Sequence, residues 1–178
     1  ALTAAGCDDS APAETATETA ARHAAAGPHA VGYTVLSHAR GDAPALAVKA
    51  WYPTTAAAAD VAYDAVVKLP GFGADPVPFL GHAALDGAPA VEGGPYPLVV
   101  LSHGFGMNPE WYHPLAEHLA SHGLVVLGPE HSEHDWATDV VAASGARPRE
   151  VSQTIDLAEA GALGGAIDAD RVAVIGHS

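Results

Sequence analysis

The segment Arg171–Ser178 reads RVAVIGHS, a short apolar run that leads directly into glycine, histidine and serine. Two similar apolar runs precede it, Leu98–Leu101 and Leu124–Leu127. Uninterrupted apolar runs of this length are typical of strands that are covered on both faces, as in a parallel sheet. The three runs therefore predict three buried parallel strands, and the third of them ends at the glycine.

Helical patterns separate the three runs. Between the first two, Pro114 stands near the first position of a predicted helix and Gly123 stands just after its end, which is the usual placement of these residues. Between the second and third, Val151 and Ile155 repeat at helical spacing, and we place Pro148 near the start of that helix. Strand–helix–strand–helix–strand order predicts an α/β fold with a doubly wound sheet.

The upstream part of the chain is less regular. Val31–Leu36 and Ala45–Tyr52 are β-like runs, and we expect pairing of the second run to stop at Pro53. Residues 54–95 are rich in proline and glycine. They predict a long irregular segment with one short strand, at Ala65–Leu69.

Composition excludes several classes of function. The chain has 178 residues, enough for one domain, and 7 basic against 21 acidic residues give a net charge of −14. This balance argues against nucleic acid and against an anionic membrane surface as partners, because phosphate binding needs clustered Lys and Arg. The single cysteine, Cys7, excludes a disulfide framework and a cysteine-based zinc site. We predict no cofactor and no metal.

The N-terminal residues 1–7 are small and apolar and end in Cys7, as in the tail of a bacterial lipoprotein signal peptide. That interpretation makes Cys7 a lipid anchor and the only link to the membrane, with the protein outside the cytoplasm, in the cell envelope or secreted. The alternative is an ordinary free cysteine in a disordered tail. Residues 8–30 lack apolar periodicity and are interpreted as a disordered tether. The folded part is expected at residues 31–178.

Two short motifs carry chemistry. Gly176, His177 and Ser178 match the first three residues of the G-x-S-x-G turn, in which a nucleophilic serine follows a buried strand. Ser178 is therefore the candidate nucleophile, and Gly176 and His177 support its turn. Gly-x-Ser occurs often by chance, and its place directly after an apolar strand is what gives it weight.

The second motif follows the first apolar run, where residues 102–106 read SHGFG. We interpret the backbone N–H of Phe105 as an oxyanion-hole donor, with His103, Gly104 and Gly106 shaping its loop. The alternative is a glycine-rich turn without chemistry. Because the two motifs lie about 75 residues apart, each at the end of a predicted strand, chance is a poor explanation for both.

These segments resemble bacterial serine esterases of the α/β-hydrolase superfamily, in particular the dienelactone hydrolase-like and platelet-activating-factor acetylhydrolase-like groups. The resemblance covers about residues 31–178. The matching segments are Trp51–Pro53, Tyr96–Gly106, Leu119–Gly123, Pro129–His131 and Asp170–Ser178.

The resemblance implies the α/β-hydrolase fold, truncated after the strand that leads into the nucleophile elbow, so that residues 31–178 form the N-terminal half of the domain. In the family the serine attacks an ester carbonyl, and an Asp and a His later in the chain complete the triad. Both would lie beyond Ser178. We therefore expect this fragment to be inactive alone and marginally folded, with its Ser178-bearing strand at an open sheet edge.

The chain is rich in histidine, and residues 130–135 read EHSEHD. This cluster lacks an H-E-x-x-H string or a helical pair of histidines, so we interpret it as a wall of the substrate cleft and not as a metal site. His103 and His177 are interpreted as loop-shaping residues and not as the catalytic base.

The leading functional hypothesis is a carboxylic-ester hydrolase that acts on small-molecule or lipid esters through an acyl-enzyme on Ser178. An acyltransferase or a peptidase on the same scaffold is a second option, because the fold does not fix the substrate. The alternative from another class is a non-catalytic cell-surface lipoprotein that uses the hydrolase core as a binding module. The sequence makes no prediction of oligomeric state.

Overall fold

The computed structural model describes residues 23–67, 75–90, 92–132 and 140–178. The strands and α-helices of these residues follow one another in the order β1 (Ala30–Arg40), β2 (Ala43–Thr54), β3 (Ala59–Ala65), β4 (Val77–Leu85), β5 (Tyr96–Ser102), α1 (His113–Ser121), β6 (Val125–Pro129), α2 (Val140–Glu159) and β7 (Ile167–Gly176).

In the described part of the chain, seven strands form one sheet in the order β3-β4-β1-β2-β6-β5-β7. Strands β6, β5 and β7 are parallel, with β5 in the middle, whereas β2 pairs with β1 and β6 in antiparallel fashion. The three predicted parallel strands are thereby confirmed. Since parallel strands end at the same edge of a sheet, the loops after β5 and β7 lie side by side.

Two apolar cores cover the two faces of the sheet, because successive side chains of a strand point to opposite faces. On β5, Leu98 and Val100 face the core that includes Ala158 of α2. Val99 and Leu101 face the other core, which includes Ala116 of α1. The result is the helix–sheet–helix arrangement of an α/β-hydrolase domain.

The region 54–95 is more regular than expected. Strand β3 pairs with β4 in an antiparallel hairpin, and β4 joins the main sheet beside β1. The expectation of an irregular segment is therefore wrong for residues 59–65 and 77–85. The short strand predicted at Ala65–Leu69 does not continue past Ala65 in the described residues 66–67, and residues 68–69 lie outside the described part of the chain. The physical reason is alternation: Val61, Tyr63 and Ala65 are buried while the residues between them are exposed.

Two prolines do not end or begin secondary-structure elements as predicted. Strand β2 does not end at Pro53, which pairs with Val31 and whose carbonyl accepts the N–H of Ala90 at 2.8 Å. Pro148 lies inside α2 and not near its start. The helix continues through it because the buried residues on its inner side, which are Ala143, Glu150, Thr154 and Ala158, keep a helical spacing on both sides of the proline.

Residues 23–29, assigned above to the tether, contact the domain. The N–H of Gly27 donates to Ser121 Oγ at 2.8 Å, and the N–H of His29 donates to the Ser121 carbonyl at 3.1 Å. A Cβ at position 27 would lie 2.1 Å from that carbonyl oxygen, so glycine is required by the close approach. The packed part of the chain thus begins before Val31.

Strand β7 lies at one edge of the sheet formed by the described residues, as expected. Its apolar side chains are partly open to solvent: Val174 is 54% exposed, and Val172 and Ile175 are 37% and 38% exposed. Among the helices that the structure describes, none has the length and apolar character needed to cross a membrane.

Candidate active site

A cavity of about 550 Å³ opens where β5 and β7 end. The two sequence motifs contribute Gly104 and Phe105 from one loop and His177 and Ser178 from the other. The remaining lining residues are Met107, Ser144 and Arg147. The structure therefore brings the candidate nucleophile and the candidate oxyanion loop to one cavity.

Strand pairing sets the relative position of the two motifs. Ser102 pairs with Gly176 in the parallel register of β5 and β7. One residue further, the N–H of His177 donates to the Ser102 carbonyl at 3.0 Å. The elbow residues thus continue the ladder by one hydrogen bond before the chain turns toward the cavity.

The hydroxyl of Tyr112 joins the two motifs directly. It accepts the N–H of Gly104 at 2.9 Å and lies 2.7 Å from Nδ1 of His177. The same hydroxyl also lies 3.6 Å from Sδ of Met107, which is a weaker contact. A Cβ on Gly104 would lie 2.7 Å from His177 Nδ1, so this close approach requires glycine.

The loop after β5 is held from its buried side by His103, which is 1% exposed. Its Nδ1–H donates to the Gly104 carbonyl at 2.9 Å, and its Nε2 accepts the backbone N–H of His131 at 3.1 Å. Burial and the neighbouring His131 and Arg147 lower the pKa of His103 to about 3, so the ring is neutral, as this pattern of one donor and one acceptor requires.

Arg147 and Gly106 complete the loop's support. Arg147 donates from Nη1 to the His103 carbonyl, which fixes the peptide that precedes Gly104. Gly106 has φ +71°, in the left-handed region that glycine adopts without strain. His103 and Gly104 thus make specific contacts next to Phe105, and the supporting roles of His103, Gly104 and Gly106 stay predictions.

Ser178 itself is exposed and makes no hydrogen bond within the described residues. Its neighbours in the cavity are the loop residues already named and the side chain of Arg147. The assignments of Ser178 as nucleophile and of the Phe105 N–H as oxyanion donor stay predictions. Cys7 lies outside the described residues.

Several residues at the site were not predicted from the sequence. Tyr112, Met107, Ser144 and Arg147 belong to no recognised motif, although Arg147 is one of only seven basic residues in an acidic chain. In such a chain an arginine next to a predicted cleft is a usable signal. Tyr112 has no comparable signal, because its partners lie in two different loops.

The histidine-rich segment 130–135 falls only partly within the description. His131 is 1% exposed and buried behind the loop, so its interpretation as a wall of the substrate cleft is wrong; the fold draws its ring inward toward Glu150. Residues 133–139 lie outside the described part of the chain. In the part described, no group of three or more His, Cys, Asp or Glu side chains is arranged to hold a metal ion.

Comparison with known families decides the relationship. The family model for chlorophyllase matches residues 80–178, more than half of the chain. The chain belongs to the chlorophyllase family. No curated protein matches the sequence.

Two solved structures are similar to this chain, and the first of them agrees with a place in the α/β-hydrolase superfamily. A ferulic acid esterase from Streptomyces cinnamoneus is similar, with 27% identity, a TM-score of 0.60, and coverage of 85% of this chain and 52% of that one. A protein assigned as a dienelactone hydrolase from Klebsiella pneumoniae subsp. pneumoniae is 16% identical, with a TM-score of 0.42 and coverage of 83% and 50%. This chlorophyllase-family chain spans about half the length of each of these two structures.

Proposed function

We propose that the complete gene product is a serine hydrolase of carboxylic esters, with Ser178 as nucleophile and the N–H of Phe105 as an oxyanion donor. The observation that carries this proposal is the cavity of about 550 Å³ shared by Gly104, Phe105, His177 and Ser178. A nucleophile and a backbone donor must both reach one substrate carbonyl, and two loops that line one cavity meet that requirement.

The reaction has two steps. Ser178 Oγ attacks the ester carbonyl carbon, the bond to the alkoxy oxygen breaks, and the alcohol leaves with a proton while an acyl-enzyme forms. Water then attacks the acyl group and releases the acid and the free serine. During both steps the carbonyl oxygen gains negative charge, which the N–H of Phe105 would stabilise by donating a hydrogen bond to it.

The surroundings of Phe105 support the donor role. Its loop is fixed on one side by Tyr112 and on the other by His103 and Arg147. A donor that is already in place costs no reorganisation when charge develops on the substrate, which is the basis of this kind of catalysis. The neutral ring of His103 supports the loop without adding a charge beneath it.

The similar Streptomyces structure supports the proposed class of substrate. The name of the similar Streptomyces protein specifies an esterase, and we extend ester hydrolysis, but not its particular substrate, to this chain. Small-molecule and lipid esters both remain within the proposal. The resemblance assigns the base to a histidine later in the chain than the nucleophile, so the complete gene product is the protein to assay.

The test is hydrolysis of short p-nitrophenyl esters by the complete gene product. Ser178→Ala removes the attacking oxygen and is expected to lower kcat/KM by about 10⁴-fold or more. Ser152→Ala is the matched control: its hydroxyl is exposed on α2 and donates to the Pro148 carbonyl. Equal activity in wild type and Ser178→Ala, or a folded wild type without esterase activity, would overturn the proposal.

We also propose that Cys7 is lipidated and anchors the protein outside the cytoplasm. The support is the sequence alone, with small residues before Cys7 and an acidic, polar stretch after it. In a bacterial host, Cys7→Ser should abolish both the globomycin-sensitive processing and the recovery of the protein in the membrane fraction. Unchanged processing in Cys7→Ser would refute the anchor and leave the esterase proposal untouched.

A further inference from the structure

A hydrogen-bonded series of a serine, a histidine and a carboxylate lies behind the candidate oxyanion loop. Ser102 Oγ is 2.8 Å from Nε2 of His131, and Nδ1 of His131 is 2.8 Å from Oε2 of Glu150. The three residues come from separate elements, namely the end of β5, the residues after β6, and α2. These distances and this order of atoms are those of a catalytic triad. The function of the Ser102–His131–Glu150 series therefore has to be explained.

The protonation states in this series follow from the partners of Glu150, which is 2% exposed. Its Oε1 accepts from Arg40 Nη1 at 3.0 Å and from Ser132 Oγ at 2.6 Å. Burial raises the pKa of Glu150, but hydrogen bonds from His131, Ser132 and Arg40 lower it by more, to about 2. The carboxylate is therefore ionised and can only accept hydrogen bonds.

An ionised Glu150 sets the direction of the hydrogen bonds in this series. Because the carboxylate accepts, Nδ1 of His131 carries a proton, and in the neutral form of the ring Nε2 presents a lone pair. The hydroxyl of Ser102 then donates to Nε2. Each group has one defined role, so the Ser102 side chain and the end of β5 are held in a single orientation.

Hydrogen bonds connect this series to both loops of the candidate site. The backbone N–H of His131 donates to Nε2 of His103, whose Nδ1–H in turn donates to the Gly104 carbonyl. The carbonyl of Ser102 accepts the N–H of His177, next to Ser178. A shift in Ser102 or His131 would therefore move the peptide on either side of the cavity.

The position of Ser102 argues against a role as a second nucleophile. Ser102 is not among the residues that line the cavity of about 550 Å³, whereas Ser178 is. His131 and Glu150 have side chains that are 0% and 3% exposed, with the ring closed in between β5, β6 and α2. A buried relay that ends beside a backbone donor has the geometry of a support for that donor.

We propose that Ser102, His131 and Glu150 form a positioning relay for the Phe105 loop, in which ionised Glu150 fixes the His131 tautomer and His131 fixes Ser102. The kinetic consequence rests on the proposed esterase function, whereas the tautomer of His131 does not. The relay acts through the loop and the peptide that follows β5, and none of its members touches the substrate.

The kinetic test compares Ser102→Ala, Ser102→Thr and Glu150→Gln in the complete gene product. In Glu150→Gln the amide oxygen is expected to stay on Arg40 and the NH2 group to face His131 Nδ1. Loss of the Ser102 hydroxyl, or this replacement of an acceptor by a donor at His131, should lower kcat about 10-fold with KM within about 2-fold, because a loosened loop weakens contacts to the oxyanion more than to the ester. Ser102→Thr keeps the hydroxyl and should restore kcat to within about 3-fold of wild type. Thermal unfolding of each variant accompanies the assay, with Ser152→Ala as control.

A kcat in Ser102→Ala equal to that of wild type would overturn the relay. So would equal losses in Ser102→Ala and Ser102→Thr when both unfold like wild type, since the hydroxyl would then not be the cause. Modification of Ser102 by a fluorophosphonate would also overturn it, by showing a nucleophile in place of a support.

The imidazole ¹⁵N–¹H spectrum of the protein gives a readout that needs no activity. His131 should show the Nδ1–H tautomer in wild type, and Glu150→Gln should shift its population toward Nε2–H. An Nε2–H tautomer in wild type overturns the relay even if the protein is an esterase. Conversely, full activity in Ser178→Ala overturns the proposed function and leaves this spectral test of the relay standing.

Discussion

The loops after β5 and β7 reach the same cavity from adjacent parallel strands, yet they are supported very differently. The loop after β5 follows a strand in which Leu98 and Val100 are completely buried. It is tied through His103 to His131 behind it. The segment after β7 follows an edge strand whose Val174, the register partner of Val100, is 54% exposed.

Within the described residues, which belong to a chain about half as long as the similar Streptomyces esterase, the donor loop is the better-supported half of the candidate site. The donor loop is fixed by buried hydrogen bonds that do not involve the nucleophile segment. The nucleophile segment is held to that loop through Tyr112 and one backbone hydrogen bond from His177. The oxyanion side should therefore survive changes on the nucleophile side better than the reverse, and four measurements test this asymmetry.

Acid should weaken the buried loop most. The folded pKa of His103 is about 3, below its ordinary value of 6.5. The unfolded chain therefore binds a proton that the folded chain excludes, and stability present above pH 6.5 is lost as the pH falls toward 3. The slope is about 1.4 kcal/mol per pH unit, or about 3 kcal/mol between pH 6.5 and 4.5.

Urea unfolding of the complete gene product at several pH values measures this loss. His103→Asn keeps a donor for the Gly104 carbonyl but does not titrate in this range, so its unfolding free energy should fall less between pH 6.5 and 4.5. Parallel pH profiles for the variant and the wild type would show that the buried loop is not the acid-sensitive part.

The second largest effect is expected from a methyl group placed between the two loops. A methyl group in Gly104→Ala would lie 2.7 Å from His177 Nδ1 and 3.2 Å from the Tyr112 hydroxyl. Displacement of either loop by a few tenths of an ångström or more should lower kcat/KM for ester hydrolysis by about 10²-fold. Gly145→Ala on α2 meets open space and is the control for an added methyl group. Comparable losses in both variants would contradict the contact.

The strands themselves can be compared at one register position. The 178-residue chain is expected to be only marginally folded, so both variants are measured with a stabilising osmolyte such as TMAO. Val100→Ala should then lower the free energy of unfolding by about 2 kcal/mol, because it leaves a cavity in the core. Val174→Ala should change it by less than about 0.5 kcal/mol, because that side chain is largely exposed. The measurement is denaturant unfolding. Equal losses at the two positions would mean that β7 is covered, and the contrast between the strands would fail.

The smallest expected effect concerns the bridge between the loops. Tyr112→Phe removes the hydroxyl shared by Gly104 and His177, so kcat/KM should fall about 10-fold and stability by about 1 kcal/mol. Tyr52→Phe also removes one hydroxyl hydrogen bond, to the Gly87 carbonyl, far from the cavity. It should cost similar stability without loss of activity. An unchanged kcat/KM in Tyr112→Phe would exclude the bridge.

The parts of the fold that the sequence predicted are those with strong local signals. The runs at Leu98–Leu101, Leu124–Leu127 and Val172–Ile175 are apolar throughout, and each lies within or almost wholly within a parallel strand of the sheet. The hairpin of β3 and β4 escaped prediction because small and polar residues dilute its alternation among prolines and glycines.

The candidate site divides in the same way. Gly104, Phe105, His177 and Ser178 are recognisable because strand, glycine and functional residue are adjacent in the chain. The relay is not, because Ser102 and His131 are 29 residues apart and His131 and Glu150 are 19 apart. Only folding brings these residues together, and neither separation has a local pattern that sequence inspection can detect.

The central claim is that Ser178 is the nucleophile, and the most direct test is the position of a covalent adduct. The complete gene product is treated with a fluorophosphonate, digested and mapped by mass spectrometry. The account predicts one modified serine, Ser178, and no labelling in Ser178→Ala. Labelling that persists in that variant, or an adduct on Ser102, would contradict it.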